Sequence, residues 1–136
     1  MTQGAYDKLT EAHTPVALAA HLGVRVEHAA WQVANGRVIF LAECTRQPWQ
    51  ITLNDAAIER LTNATVASHE RRWFTREKIT EVIIAHELFH LLTPVPNVWQ
   101  ASATSENKAH AFAQRWTGLP FHPTHYEQIL WTTFSA

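Results

Sequence analysis

From Val82 to Pro94 the chain reads VIIAHELFHLLTP, an apolar run interrupted by His86, Glu87 and His90. Residues four apart on an α-helix stack on one side, so His86 and His90 can aim two imidazoles at a single ion. Glu87 sits beside them, one residue round. A carboxylate buried without a partner is costly or takes up a proton, whereas a metal-bound water or a positive site gives it a reason to be there. The H-E-x-x-H pattern therefore points to a metal centre. The competing reading is a pair of histidines satisfied inside a core helix.

A catalytic zinc takes three protein ligands and leaves one position open, so two helix histidines need a third group from elsewhere. Glu106 is the best candidate. In ENKAHAFA, Glu106, Ala109, His110 and Ala113 share one helical face, and the alanines allow close packing on the histidine helix. Fifteen residues with two prolines separate His90 from Glu106, enough to reverse direction. His110, one turn further on, can be a rival ligand, a hydrogen-bonding support behind the ligands, or a packed histidine. If a metal here polarises a carbonyl, a donor must steady the oxyanion, and His110, His125 and Tyr126 are the candidates. His122 and His125 lie in a proline-bounded loop and read first as surface residues.

Several elements must position these groups. TPVALAAHLGV reads as a short helix opened by Thr14-Pro15 and closed by Gly23. A strand at VRVEHA follows, and then WQVANGRVIFLAE places Asn35-Gly36 between apolar runs, a hairpin signal. WQITLN is the third strand. Helical patterning returns in NDAAIERLTNATVASHE, with an Asn or Asp cap. Thr75 caps REKITEVIIAHELFHLL, which must stop near Thr93 because Pro94 and Pro96 disfavour continuation. ATSENKAHAFAQRWTG ends at Gly118, and PTHYEQILWTTF is the last helix. This order predicts an α+β domain with a small antiparallel sheet packed on helices, the H-E-x-x-H helix being central. Its edge is expected at WQITLN, where Ile51, Thr52, Leu53 and Asn54 would bind an extended peptide by strand addition.

The 136 residues fit one domain, 1–136, with a real core. An apolar content of 46%, with six Trp and few Gly or Pro, argues against disorder. The lone Cys44 excludes an internal disulfide framework, and the N-terminus lacks a signal-peptide pattern, so a cytoplasmic protein without membrane insertion is expected. A net charge of −1 and a pI near 6.7 give no global pull toward nucleic acid. Only HERRWFTREK is locally basic. Arg71, Arg72, Arg76 and Lys78 beside Trp73 and Phe74 could touch phosphates and bases, but read first as a solvated loop and helix start.

HELFH, preceded by the strand-like ITLN and followed by E-x-x-A-x-x-F-A at Glu106 to Ala113 and then Leu119-Pro120, resembles the ImmA/IrrE family of zinc metallopeptidases over roughly residues 50–120. Phe89 and His110 stand where that family commonly has Gly and Asn. The resemblance implies a minimal zincin-like domain that binds zinc through His86, His90 and Glu106, with Glu87 as base. It also implies a separate helix-turn-helix repressor as substrate. Two other classes are open: a DNA-associated zinc protease of the SprT kind, and a non-catalytic, zinc-bound interaction or toxin-like module.

Overall fold

The computed structural model describes residues 3–29, 41–93 and 103–134. These form helices α1 (Gln3–Ala12) and α2 (Pro15–His21), strands β1 (Arg25–Ala29), β2 (Ala42–Arg46) and β3 (Trp49–Asn54), and helix α3 (Asp55–Thr62). A 3-10 turn at Arg71–Trp73 leads into α4 (Arg76–Leu92), α5 (Ala103–Thr117) and α6 (Thr124–Thr132). The architecture is α+β, a three-stranded sheet packed with six helices. The Asn35-Gly36 hairpin expected from the sequence lies outside the described residues.

Local chemistry explains most boundaries. Thr14, Asn54 and Thr75 each turn a side-chain oxygen onto a free N–H in the first turn of α2, α3 and α4, at 3.2, 3.3 and 3.2 Å. Gly23 and Gly118, with φ of 75° and 74°, follow α2 and α5 in the left-handed conformation that glycine adopts without strain. The helix expected across 54–70 ends instead at Thr62. There Arg71 donates to the carbonyls of Thr62, Ala64 and Phe74, so the chain that follows is tied down by a side chain rather than by further helical turns.

The sheet is mixed rather than antiparallel, with order β1-β3-β2. β2 pairs antiparallel with β3, as a two-residue connection between them requires. β1 pairs parallel with β3, Arg25 opposite Gln50 and Ala29 opposite Asn54. The strands alternate in direction along the chain, but β3 lies between the first two, and the strand it meets on its far side therefore runs its own way. This arrangement corrects the substrate-strand expectation. Both sides of β3 are already hydrogen-bonded, so Ile51, Thr52, Leu53 and Asn54 cannot receive a peptide. Among the described residues the edges are β1 and β2, whose Arg25, Glu27, Glu43 and Arg46 carry the charges usual on exposed edges.

Helix α4 occupies the centre. Ile79, Val82, Ile83, Ile84, Ala85, Leu88, Leu91 and Leu92 are all buried, which covers nearly its whole circumference. Ile51 and Leu53 of β3, Leu18 of α2, Ile58 and Leu61 of α3, and Ala113 of α5 belong to the same apolar cluster. Buried Ala109 and Ala113 line the α5 face, and Phe112 meets Phe89 with ring centroids 5.4 Å apart. No helix among the described residues is long and apolar enough to cross a membrane.

Candidate metal centre

The buried middle of α4 places His86, Glu87 and His90 at the wall of a cavity of about 330 Å³, closed on other sides by residues 41–44 and by α5 and α6. The α4 to α5 packing brings Glu106 over both histidines. One carboxylate oxygen lies 3.2 Å from His86 Nε2, and the other 2.8 Å from His90 Nε2. The two Nε2 atoms are themselves 3.2 Å apart. Three ligands at about 2.0–2.2 Å from a tetrahedral ion are separated by roughly 3.3 Å. Each imidazole therefore lies at about such a distance from one Glu106 oxygen and from the other imidazole.

His110 also reaches the cluster. It is 8% exposed, its ring packs 4.4 Å from that of His86, and its Nε2 lies 4.0 Å from Glu106. His86, Glu106 and His110 offer ligand atoms all within 4.8 Å of one another, a group that could hold a metal ion. His90 lies nearer the Glu106 carboxylate than His110 does, 2.8 against 4.0 Å. The Nδ1 atoms of His86 and His110 are buried with no hydrogen-bond partner among the described residues.

The electrostatics follow from these contacts. Hydrogen bonds from His86 and then His90 hold the Glu106 carboxyl well below the usual carboxylate range. The same contact with Glu106 raises His90 against the opposing effect of burial. His110 behaves in the other sense, because burial, reinforced by His86, lowers it to about 4. Glu87 is 9% exposed, and burial raises its carboxyl while the charge of His86 and a hydrogen bond from Cys44 act against the rise.

Cys44 is the residue that sequence reasoning missed. It shares a face of β2 with buried Ala42, which sets its thiol against Glu87. The period-two alternation of the strand was the available signal. Burial first, and then the Glu87 charge, push the thiol up to about 12. We predict about a thousandfold less thiolate at pH 8 than in a cysteine of ordinary pKa. Iodoacetamide labelling of Cys44 in native protein should be slower in that proportion than labelling of urea-unfolded protein. Equal rates would contradict the placement.

The remaining candidates separate cleanly. Tyr126 lines the cavity, but its hydroxyl donates to the Trp73 carbonyl at 2.6 Å in a buried setting, which removes it as a free oxyanion donor. His125 is bonded to Glu70 at 3.1 Å, lies between Phe74 and Phe121, and does not line the cavity. His110 is the one oxyanion candidate left facing the cluster. His122, exposed, stands 5.2 Å from the His110 ring and bonds Thr124. In the basic segment Arg71 is engaged with backbone carbonyls and Arg76 lies 3.6 Å from Asp55. Trp73 and Phe74 are buried, so they offer no stacking platform for bases.

No family model, curated protein or solved structure matches the chain.

A pH prediction follows from His110. Its folded value is below its unfolded value of 6.5, so between pH 6.5 and about 4 the unfolded chain binds the extra proton and stability falls with falling pH. Metal-free protein should lose about 2 kcal/mol from this group between pH 7 and 5. His90, raised, contributes in the opposite direction over the same range. The measurement is therefore a difference: urea unfolding of wild type and His110→Asn at both pH values, the variant lacking that loss.

Proposed function

We propose that this chain is a zinc-dependent peptidase in which His86, His90 and Glu106 hold the metal and Glu87 is the general base. The observation that carries the reading is that each of the two Nε2 atoms lies within 3.2 Å of the other and of one Glu106 oxygen, beside a buried carboxylate in the same cavity. A core that wanted only packing would not collect three titratable groups at one point. When bound, zinc would supply Lewis acidity, lowering the pKa of a water and polarising a peptide carbonyl. Glu87 accepts the proton of the attacking water and returns it to the leaving amine. Cys44 lines the same cavity beside Glu87. His110 is the candidate for steadying the oxyanion.

With β3 enclosed, strand addition passes to β2. Residues 41–44 border the cavity, and β2 is an edge among the described residues, so a peptide laid along it would run past the metal ligands. The resemblance to the ImmA/IrrE family supports a helix-turn-helix repressor as the natural substrate. The test is elemental analysis of protein purified without added metal, followed by peptide hydrolysis with and without chelator. About one zinc per chain and chelator-sensitive cleavage are expected. No zinc, and none bound on titration, would end this reading.

A further inference from the structure

We propose that His110 of α5 is a fourth, displaceable ligand of the metal, closing in the resting protein the position that a substrate carbonyl must enter. The inference deepens the peptidase reading and rests on its metal centre. His110 is 8% exposed, and its Nδ1 is buried with no hydrogen-bond partner among the described residues. Its Nε2 stands 4.0 Å from a Glu106 oxygen, beyond hydrogen-bond length. An imidazole buried in this way has given up water without regaining these partners, and a metal ion is a partner that offsets the loss.

The distances favour a fourth corner. The Glu106 oxygen that lies 3.2 Å from His86 Nε2 is the same one that lies 4.0 Å from His110 Nε2, and the ligand atoms of these three residues all fall within 4.8 Å of one another. His90 stands against the same pair, 3.2 Å from His86 Nε2 and 2.8 Å from the other Glu106 oxygen. Two triangles sharing an edge make a tetrahedron, and zinc with four protein ligands is closed to water and substrate. Tetrahedral ligands stand roughly 3.3 Å apart, so His110 has less than about 1 Å to travel toward Glu106. Its longer contact makes it the ligand most readily displaced. A firmly fixed histidine ligand donates its other ring N–H to an acceptor, and His110 Nδ1 has none. His86 Nδ1 lacks one too, but His86 is set between Glu106 and His90 by contacts at 3.2 Å. Because His110 also lines the cavity, a carbonyl arriving there displaces an imidazole that stays beside it and donates to the oxyanion.

The test compares zinc-loaded wild type and His110→Asn in the absence of substrate. X-ray absorption at the zinc edge counts imidazoles, because each ring adds its own multiple-scattering signal. Three are expected in wild type, from His86, His90 and His110, and two in the variant. Two in wild type would overturn the closed site, and this count stands on its own should the variant not fold. A second readout is the visible spectrum of the cobalt-substituted proteins titrated with acetohydroxamate, a small chelator of open metal positions. His110→Asn should bind it about tenfold more tightly than wild type, in which His110 must first be displaced. Equal binding, or tighter binding by wild type, would also overturn the proposal. Peptide hydrolysis separates it from the reading on which it rests. Three imidazoles in a wild-type protein that cuts no peptide would overturn the peptidase and leave the closed site standing. Two imidazoles in a protein that does cut would do the reverse, and a chain that takes up neither zinc nor cobalt would end both.

Discussion

Glu87→Gln is expected to lower peptide hydrolysis by about a hundredfold to ten-thousandfold, the range of a positioned general base, while zinc content stays at the wild-type level. The amide has the shape of the carboxylate, so the change removes proton transfer rather than packing. None of the three proposed ligands is altered. The variant should therefore hold a partner that wild type cuts. Wild type and variant are incubated with a panel of helix-turn-helix proteins from the same genome, with and without chelator, and products are read by mass spectrometry. Hydrolysis of a helical segment needs that segment to open, so mild destabilisation of the partner should speed cleavage by wild type. Cleavage that persists in Glu87→Gln or in chelator would exclude the mechanism. A function retained in full by the variant would instead favour the non-catalytic module.

The site was more legible in the sequence than the sheet that surrounds it, and the reason is locality. The bounds of α4 follow from Thr75 at one end and the prolines after Thr93 at the other, and helical periodicity alone puts His86 and His90 on one side. Glu106 needed only one further step, a neighbouring helix with small residues facing inward. Sheet order has no such local mark. The strand segments are recognisable by their patterns, but that β3 lies between β1 and β2 is decided by packing. The charged residues of β1 and β2 were the indirect clue, and the burial of Ile51 and Leu53 on β3 is its counterpart. α1 was missed for a related reason. It is fixed from far away, Trp116 Nε1 donating to the carbonyls of Thr10, in its last turn, and His13, just beyond it. Tyr126 and His125 show the same limit at single residues. Their types suit an oxyanion donor, but Trp73 and Glu70, more than fifty residues distant, already take their hydrogen bonds.

Glu106→Ala and His90→Ala are expected to weaken zinc binding by more than about a hundredfold, whereas His110→Ala should weaken it by roughly tenfold to a hundredfold, as for a group that supports the ligands from behind. The ranking follows from distance. His90 Nε2 meets Glu106 at 2.8 Å and His86 Nε2 at 3.2 Å, while His110 Nε2 stops 4.0 Å from the same carboxylate. Affinity is measured by competition with a chromophoric chelator. Thermal unfolding gives a second readout, because an ion that binds only the folded state at a hundred times its Kd adds about 3 kcal/mol of stability. That increment should vanish in Glu106→Ala and persist, reduced, in His110→Ala. Removing Glu106 also frees His90 from the carboxylate that raises it, so the metal-free variant should lose the stability His90 contributes at low pH. If His110→Ala proves the more damaging and His90→Ala the milder, the ion is held by His86, Glu106 and His110. His90 would then be the support, and the open coordination position would face a different part of the cavity.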